Sequence, residues 1–418
     1  MNVRRNAAVL AAVGVIAAAA PAMAAPATAA SPSPSPSKTL PSGLYGSADP
    51  KYDGVWRQSL ALLAQHTVGV RPAAEAVDWL VGQQCADGGF AAYRPDPAKT
   101  CEATGAQADT NSTAAAVQAL EALGGHDGEV RKAAAWLKTA QNKDGGWGYT
   151  PGSPSDTNST SVVIGALAAA GEDPLQLRKE GKAPAGLLAK WSLPCDEDGG
   201  GALAYQPDKK GKLAANADAT AAGVLGTLGK GFVTKAGKAP EKGYVCADSD
   251  KPLTPQEVAR NGAAYLADQM RDTSHLTSSL PGAKDQPDYG NTADAVVALA
   301  AQGWTRQARE PYGWLVTNAV PWAKQSGPAA YAELIFAAHA MGADPHDFGG
   351  TDVVQALNAT GPAPRTATAR ATGGETERAE HDAGHDSGTK VWWIVGTGLV
   401  AGIGIGFLLS GRRRKQQP

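Results

Sequence analysis

Hydrophobic and polar positions divide the chain into two alternating kinds of segment. Some segments are apolar around the whole helical circumference, as in VVIGALAAAG and AVVALAAQG, which is typical of buried helices. Others, such as EVRKAAAWLKTAQ, carry charge on one side and are expected to face water. We predict half-exposed helices near 72–84, 130–141, 184–192, 255–270, 311–325 and 350–359. The buried helices are predicted to begin near Gly54, Asn111, Asn158, Asp218, Asn291 and Ala329.

A short polar string recurs where the buried helices begin. Asp-Thr-Asn-Ser-Thr occupies 109–113 and again 156–160, each time after an Asp-Gly-Gly-aromatic turn. Fainter copies stand at 216–220 and 288–292. Such a repeating two-helix unit is the signature of a repeat array. The sequence therefore predicts an all-α fold, an (α/α)6 toroid over residues 45–362, with six inner and six outer helices. All inner helices would begin at one end of the ring, which we call the mouth.

The repeats also resemble a known superfamily. AVDWLVGQQCADGGF and AAAWLKTAQNKDGGWGY resemble the prenyltransferase/squalene oxidase repeats of the terpenoid cyclase and protein prenyltransferase α/α-toroids. The string DTNSTAAAVQAL is similar to inner-helix starts in the helical domain of transcobalamin and intrinsic factor. That second resemblance implies a cobalamin or other corrinoid ligand, held by polar residues at the mouth. It also implies a partner, either a small β domain or a membrane transporter, that completes the site.

The resemblance and the repeat together define the candidate ligand-binding residues. They are the polar residues at the inner-helix starts and one aromatic residue that follows a Gly-Gly turn: Asp109, Asn111, Tyr149, Asp156, Asn158, Asn216, Asp218, Asp288 and Asn291.

Each of these residues also has a structural interpretation. A side-chain oxygen at a helix start caps a free backbone N–H, but one cap serves one helix and the string offers five polar side chains. Some of them are therefore spare for a ligand. Tyr149 either packs against the neighbouring helix or lines a ligand cleft. Both interpretations stay open at this stage.

Motifs for catalysis on such toroids are missing from the sequence. No Asp-x-Asp-Asp acid motif, no Asp-x-Cys pair of a prenyltransferase zinc site and no Gly-Cys-Gly-Glu-Gln thioester occurs. We therefore predict no catalytic residues and no metal site, and we favour a non-catalytic protein that binds a small organic ligand. One alternative is an extracellular enzyme acting on a terpenoid, or on a glycan through Asp156 and Asp218 as paired carboxylates. Another is a structural or protein-interaction module.

The two ends of the chain predict export and anchoring. Residues 1–24 carry an Arg pair, an apolar run and an Ala-Met-Ala site, as in a secretory signal peptide. Residues 25–44 form a Pro/Ser-rich linker and 363–390 a stalk. A transmembrane helix is predicted over 391–410, followed by the basic cytoplasmic tail 411–418. The toroid would then lie outside the cell.

Charge and cysteine content agree with an exported domain. A net charge of −2 provides no electrostatic surface for nucleic acid. Four cysteines in an exported chain favour disulfides over metal. They allow three pairings, of which we favour Cys85–Cys101 and Cys195–Cys246, because each would close a loop between helices.

Overall fold

The computed structural model describes residues 40–239, 245–248, 251–278 and 285–365. The predicted signal peptide, most of the linker and of the stalk, the transmembrane helix and the tail lie outside these residues. Among the residues that are described, no helix has the length and apolarity needed to cross a membrane.

The described residues fold into helices with a few two-residue strands. Strand β1 (Phe90–Ala91) pairs antiparallel with β2 (Ala108–Asp109), and β3 (Leu276–Thr277) with β4 (Pro287–Asp288). The helices are α1 (Gly54–Thr67), α2 (Ala74–Gly82), α3 (Cys101–Thr104), α4 (Thr110–Leu123), α5 (Asp127–Thr139), α6 (Thr157–Ala169), α7 (Pro184–Lys190), α8 (Ala217–Thr227), α9 (Pro255–Gln269), α10 (Tyr289–Ala301), α11 (Thr305–Asn318), α12 (Val320–Ser326), α13 (Pro328–Met341) and α14 (Val353–Asn358).

The buried helices close into a ring. In the order α1, α4, α6, α8, α10 and α13, each packs against the next, and α13 packs back against α1. Helices α2, α5, α7, α9, α11 with α12, and α14 alternate with them along the chain and form the outer layer. The predicted alternation of inner and outer helices is confirmed over the described residues. Alanine-rich faces allow this close packing, and α4 alone buries Ala114, Ala115, Ala116 and Ala119 completely.

One outer helix differs from the prediction. The segment predicted as a single helix over 311–325 is two helices, α11 and α12, which meet at Ala319. Pro321 lies in the first turn of α12. Proline has no N–H to bond back to the preceding turn, and the first turn of a helix, where this N–H would be unpaired in any case, is the position it favours.

Both favoured disulfides are present. Cys85–Cys101 joins the turn after α2 to the start of α3. Cys195–Cys246 joins the turn after α7 to the segment that precedes α9. Each bridge therefore ties down a connection between helices.

The recurrent polar string has a structural explanation in its last threonine. This threonine is the fourth residue of α4, α6, α8 and α10, and its hydroxyl accepts the backbone N–H of the residue that follows the preceding turn. The donors lie 2.8–3.0 Å away: Phe90 to Thr113, Trp147 to Thr160, Leu203 to Thr220 and Leu276 to Thr292. The string thus recurs because it fastens each turn to the start of an inner helix.

Removing this hydroxyl is expected to destabilise the fold. Thr160→Val preserves the side-chain shape but leaves the buried Trp147 N–H without its acceptor. We expect the free energy of unfolding to fall by about 1–3 kcal/mol, measured by urea denaturation. Thr139→Val is the matched control, because Thr139 is exposed on α5 and bonds only the Ala135 carbonyl. Equal losses in the two variants would contradict this role of the string.

Candidate functional site

The first polar residue of each string caps its helix. Asp109 accepts the Ser112 N–H at 2.7 Å, and Asp156 accepts the Ser159 N–H at 2.7 Å. Two further residues cap α8 and α10 in the same way, at 2.7 Å and 3.1 Å respectively: Asn216 and Asp288. Capping is therefore established for these candidates, and ligand contact by them stays a prediction.

In three inner helices the second residue takes no part in capping the helix. These residues are Asn111 in α4, Asn158 in α6 and Asp218 in α8. The Asn158 amide donates to an Asp218 carboxyl oxygen at 2.7 Å, which bridges two neighbouring helices at the mouth. The side-chain carbonyl oxygens of Asn111 and Asn158 have no hydrogen-bond partner among the described residues, although the two residues are only 4% and 2% exposed.

Helix α10 departs from this register by one residue. Its cap is Asp288, so Gly290 takes the second position, and Asn291 follows it as the third residue. The Asn291 amide donates to the Asp288 carboxylate at 2.8 Å. Asn291 therefore lies at the mouth but is not equivalent to Asn111 or Asn158.

Two carboxylic acids that the sequence analysis did not select lie one turn deeper. Asp294 and Glu333 are the sixth residues of α10 and α13, and both side chains are half-buried. Burial, and then the charges of Asp218 and Asp288, raise the pKa of Asp294 to about 8. The pKa of Glu333 is raised well above its usual range by burial and then by Asp294. In the sequence, the signal that could have identified these two residues is a single carboxylate in an otherwise apolar helix.

The pKa values of the buried capping residues are also raised, and two tyrosines lie beside these residues. Burial raises the pKa of Asp109 to about 7 and that of Asp156 to about 6, although hydrogen bonds from Ser112 and Ser159 partly oppose it. Asp156 is also hydrogen-bonded to Tyr205. Burial, and then the charge of Asp109, raise the pKa of Tyr149.

Exposure separates the aromatic residues that follow the turns into two groups. Phe90 and Trp147 are fully buried and belong to the core. Tyr149 and Tyr205 are half-buried and lie next to the caps of α4 and α6. Of the turn aromatics, these two tyrosines can therefore reach a ligand at the mouth.

The centre of the ring is nearly filled. A cavity of about 40 Å³ remains, lined among others by Asn158, Ser161 and Asp294. The segment after α8 closes it, because the Phe232 N–H donates to the Gln118 side chain at 2.9 Å. The Phe232 ring meets the edge of Trp56, with centroids 5.4 Å apart. Pockets for organic ligands usually measure about 300–1,000 Å³, so a ligand of that size does not fit into this cavity.

Comparison with known proteins supports the resemblance drawn from the repeats. The family model of the squalene-hopene cyclase C-terminal domain matches residues 108–171, which hold α4, α5, α6 and both copies of the polar string. The resemblance to the terpenoid cyclase and protein prenyltransferase toroids is thereby confirmed for this segment. No curated protein is significantly similar to the chain.

Similar solved structures include two terpene cyclases. The ent-copalyl diphosphate synthase from Streptomyces platensis is 16% identical over 69% of this chain, with a TM-score of 0.46. The chain spans 50% of that enzyme. The type II terpene cyclase MstE from Scytonema is 15% identical over 67% of this chain and 74% of its own, with a TM-score of 0.41. A protein from Actinoplanes is 17% identical over 63% and 81%, with a TM-score of 0.29.

Proposed function

We propose that this protein is a non-catalytic binder that holds a small organic ligand against the mouth of the ring. The observation that carries the proposal is the pair of buried, unpartnered side-chain oxygens on Asn111 and Asn158. A buried acceptor without a partner costs about 1–3 kcal/mol. A ligand that supplies N–H donors at these points would offset that cost.

A corrinoid, the ligand class implied by the resemblance, fits this chemistry. Its rim carries carboxamide groups whose N–H donors match the oxygens of Asn111, Asn158 and Asp218. Tyr149 and Tyr205 add half-buried rings beside these acceptors. Because the mouth offers only one face, a partner such as a β domain or a membrane transporter would cover the other side of the ligand. Export and anchoring through residues 391–410 belong to the same proposal.

Ligand-dependent stabilisation tests this function. Cyanocobalamin and cobinamide are added to the full chain, and thermal unfolding is followed by circular dichroism. A ligand at 100 times its Kd stabilises the folded state by about 2.7 kcal/mol. We expect this gain to disappear in the double variant Asn158→Ala/Asp218→Ala.

The control variant is Asn318→Ala/Asp268→Ala, which removes an amide and a carboxylate from the outer helices α11 and α9. It should keep the full stabilisation by the corrinoids. No shift with either corrinoid, or the same shift in both double variants, would overturn the proposal.

Acid catalysis is a second candidate function with an observation of its own. Asp294, whose pKa is raised to about 8, holds its proton near neutral pH, and the pKa of Glu333 is raised in the same direction. Acid-initiated terpene cyclisation starts from a protonated carboxyl. The 40 Å³ cavity beside Asp294 is too small for a polyprenyl chain, which is why we rank this function second. A cyclic product from geranylgeranyl diphosphate, lost in Asp294→Asn and retained in Glu121→Gln, would support it.

A further inference from the structure

One acid below the mouth, Asp294, shares a small cavity with neutral polar groups. Asp294 lines this cavity together with Asn158 and Ser161. The Asn158 carbonyl oxygen and the Ser161 hydroxyl have no hydrogen-bond partner among the described residues. Asn158 is 2% exposed and Ser161 is 3% exposed, so water outside the protein hardly reaches either side chain.

Most of the polar groups around this cavity are hydrogen-bond acceptors. Asp294 lines the cavity from α10, and Asp218 on α8 accepts a hydrogen bond from the lining residue Asn158. Glu333 on α13 interacts electrostatically with Asp294, and one of its carboxyl oxygens also lacks a partner within the described ranges. The Gln118 amide group from α4 is the exception, since its unpartnered atom is a donor.

The described lining of the cavity holds one basic residue. Lys230 contributes to the lining from the segment after α8, but the residue is exposed. The site therefore combines the Asp294 carboxyl, unpartnered oxygens and an aromatic ring, since Phe232 forms part of its lining. Acceptor oxygens and an aromatic ring are the groups that bind an ammonium ion.

We propose that this cavity, which lies between α4, α6, α8 and α10, is a subsite for a primary ammonium group. Its volume decides the size of the group. A cavity needs about 10–15 Å³ to hold one group of the size of a water molecule. About 40 Å³ therefore accepts an ammonium with one or two methylenes, and a quaternary ammonium is too large. The assignment does not rest on the corrinoid proposal, although the two ligands would compete for the Asn158 carbonyl oxygen.

The pH dependence of binding follows from the acids. n-Propylammonium stays charged up to about pH 10, as a lysine side chain does. Asp294 ionises only near pH 8, so the cation must displace a proton at lower pH. We expect its affinity to rise roughly tenfold per pH unit between pH 6 and pH 8, with about one proton released per cation bound.

Isothermal titration of the full chain with n-propylammonium chloride tests the proposal. Titrations at pH 6, 7 and 8 in buffers of different ionisation enthalpy give the affinity and the proton release. n-Propanol, tetramethylammonium and potassium chloride at equal ionic strength should show at least tenfold weaker binding. Equal binding of potassium or n-propanol, or no pH dependence, would overturn the assignment.

Variants locate the subsite. Asp294→Asn should lower the affinity at pH 8 at least tenfold and flatten its pH dependence, and Glu333→Gln should weaken binding in the same direction. Both are isosteric and remove charge repulsion, so the fold should persist, which circular dichroism checks. Glu121→Gln, at an exposed position on α4, should bind as the parent does. Unchanged binding in Asp294→Asn would overturn the proposal, whatever the corrinoid experiment shows.

Discussion

The free energy of unfolding should rise by at least about 4 kcal/mol when the pH is lowered from 8 to 5. The buried caps Asp109 and Asp156, whose pKa values are raised to about 7 and about 6, account for this lower bound. Both side chains are almost fully buried, at 3% and 1% exposure, so solvent screens them little. Asp218, Asp288 and Asp294 have raised pKa values and act in the same direction.

The sign follows from the two states of the chain. An unfolded aspartate has a pKa near 3.9, so above pH 5 the unfolded state has already lost the proton that folded Asp109 still holds. Folding then takes up protons, and stability falls as the pH rises toward the folded-state pKa values. Below about pH 4 both states are protonated, and this contribution no longer changes.

Urea denaturation at pH 5, 6, 7 and 8 measures the free energy of unfolding. In thermal unfolding over the same pH range, the melting temperature should change by about 10 °C. Asp109→Asn keeps a side-chain oxygen for the cap but cannot ionise, so its stability should depend less on pH. Asp173→Asn, at an exposed position after α6, should keep the steep profile of the parent. Stability that is flat or rises between pH 5 and pH 8 would show that these acids are ionised at little cost.

Local signals explain why the inner helices could be predicted to within two residues. A capping residue followed by an apolar run marks a helix start within the string itself, and Asp109 and Asp156 cap as such a string requires. The spare residues Asn111 and Asn158 follow from the same register. Capping needs one side chain per helix, and the geometry of the first turn selects which one.

Features that depend on the rotation of helices or on distant contacts could not be predicted in this way. Asp294 and Glu333 stand alone in apolar helices, and only the packing of α10 against α8 and α13 shows that they approach Asp218. Phe232 lies in a connection without periodicity. Its position in the ring centre depends on Gln118, which lies far away in the sequence. The shift of Asn291 by one residue was missed because the DYGNT copy has Gly290 where the other copies have the second residue of the helix, Asn111 or Asn158.

Trp147→Ala should destabilise the protein by about 3–5 kcal/mol. The Trp147 side chain is fully buried, and its indole N–H donates to the Leu137 carbonyl at 2.7 Å. That carbonyl lies in the last turn of α5, where helical partners run out. The backbone N–H of Trp147 donates to the Thr160 hydroxyl at 3.0 Å. Trp147 therefore joins an outer helix, a turn and the inner helix that carries Asn158.

Comparison with a second tryptophan separates this role from the loss of any large side chain. Trp136 lies on α5, is only partly buried, and its indole N–H bonds to the exposed Asp87 at 3.0 Å. Trp136→Ala should therefore cost about 1 kcal/mol, since less apolar surface is buried there.

Trp147→Phe keeps most of the ring but leaves the Leu137 carbonyl unpaired, at a cost of about 1–3 kcal/mol. Urea denaturation of the three variants should give the order Trp147→Ala, Trp147→Phe, Trp136→Ala. A larger loss in Trp136→Ala than in Trp147→Ala would mean that the mouth is held by the outer layer and not by the turn.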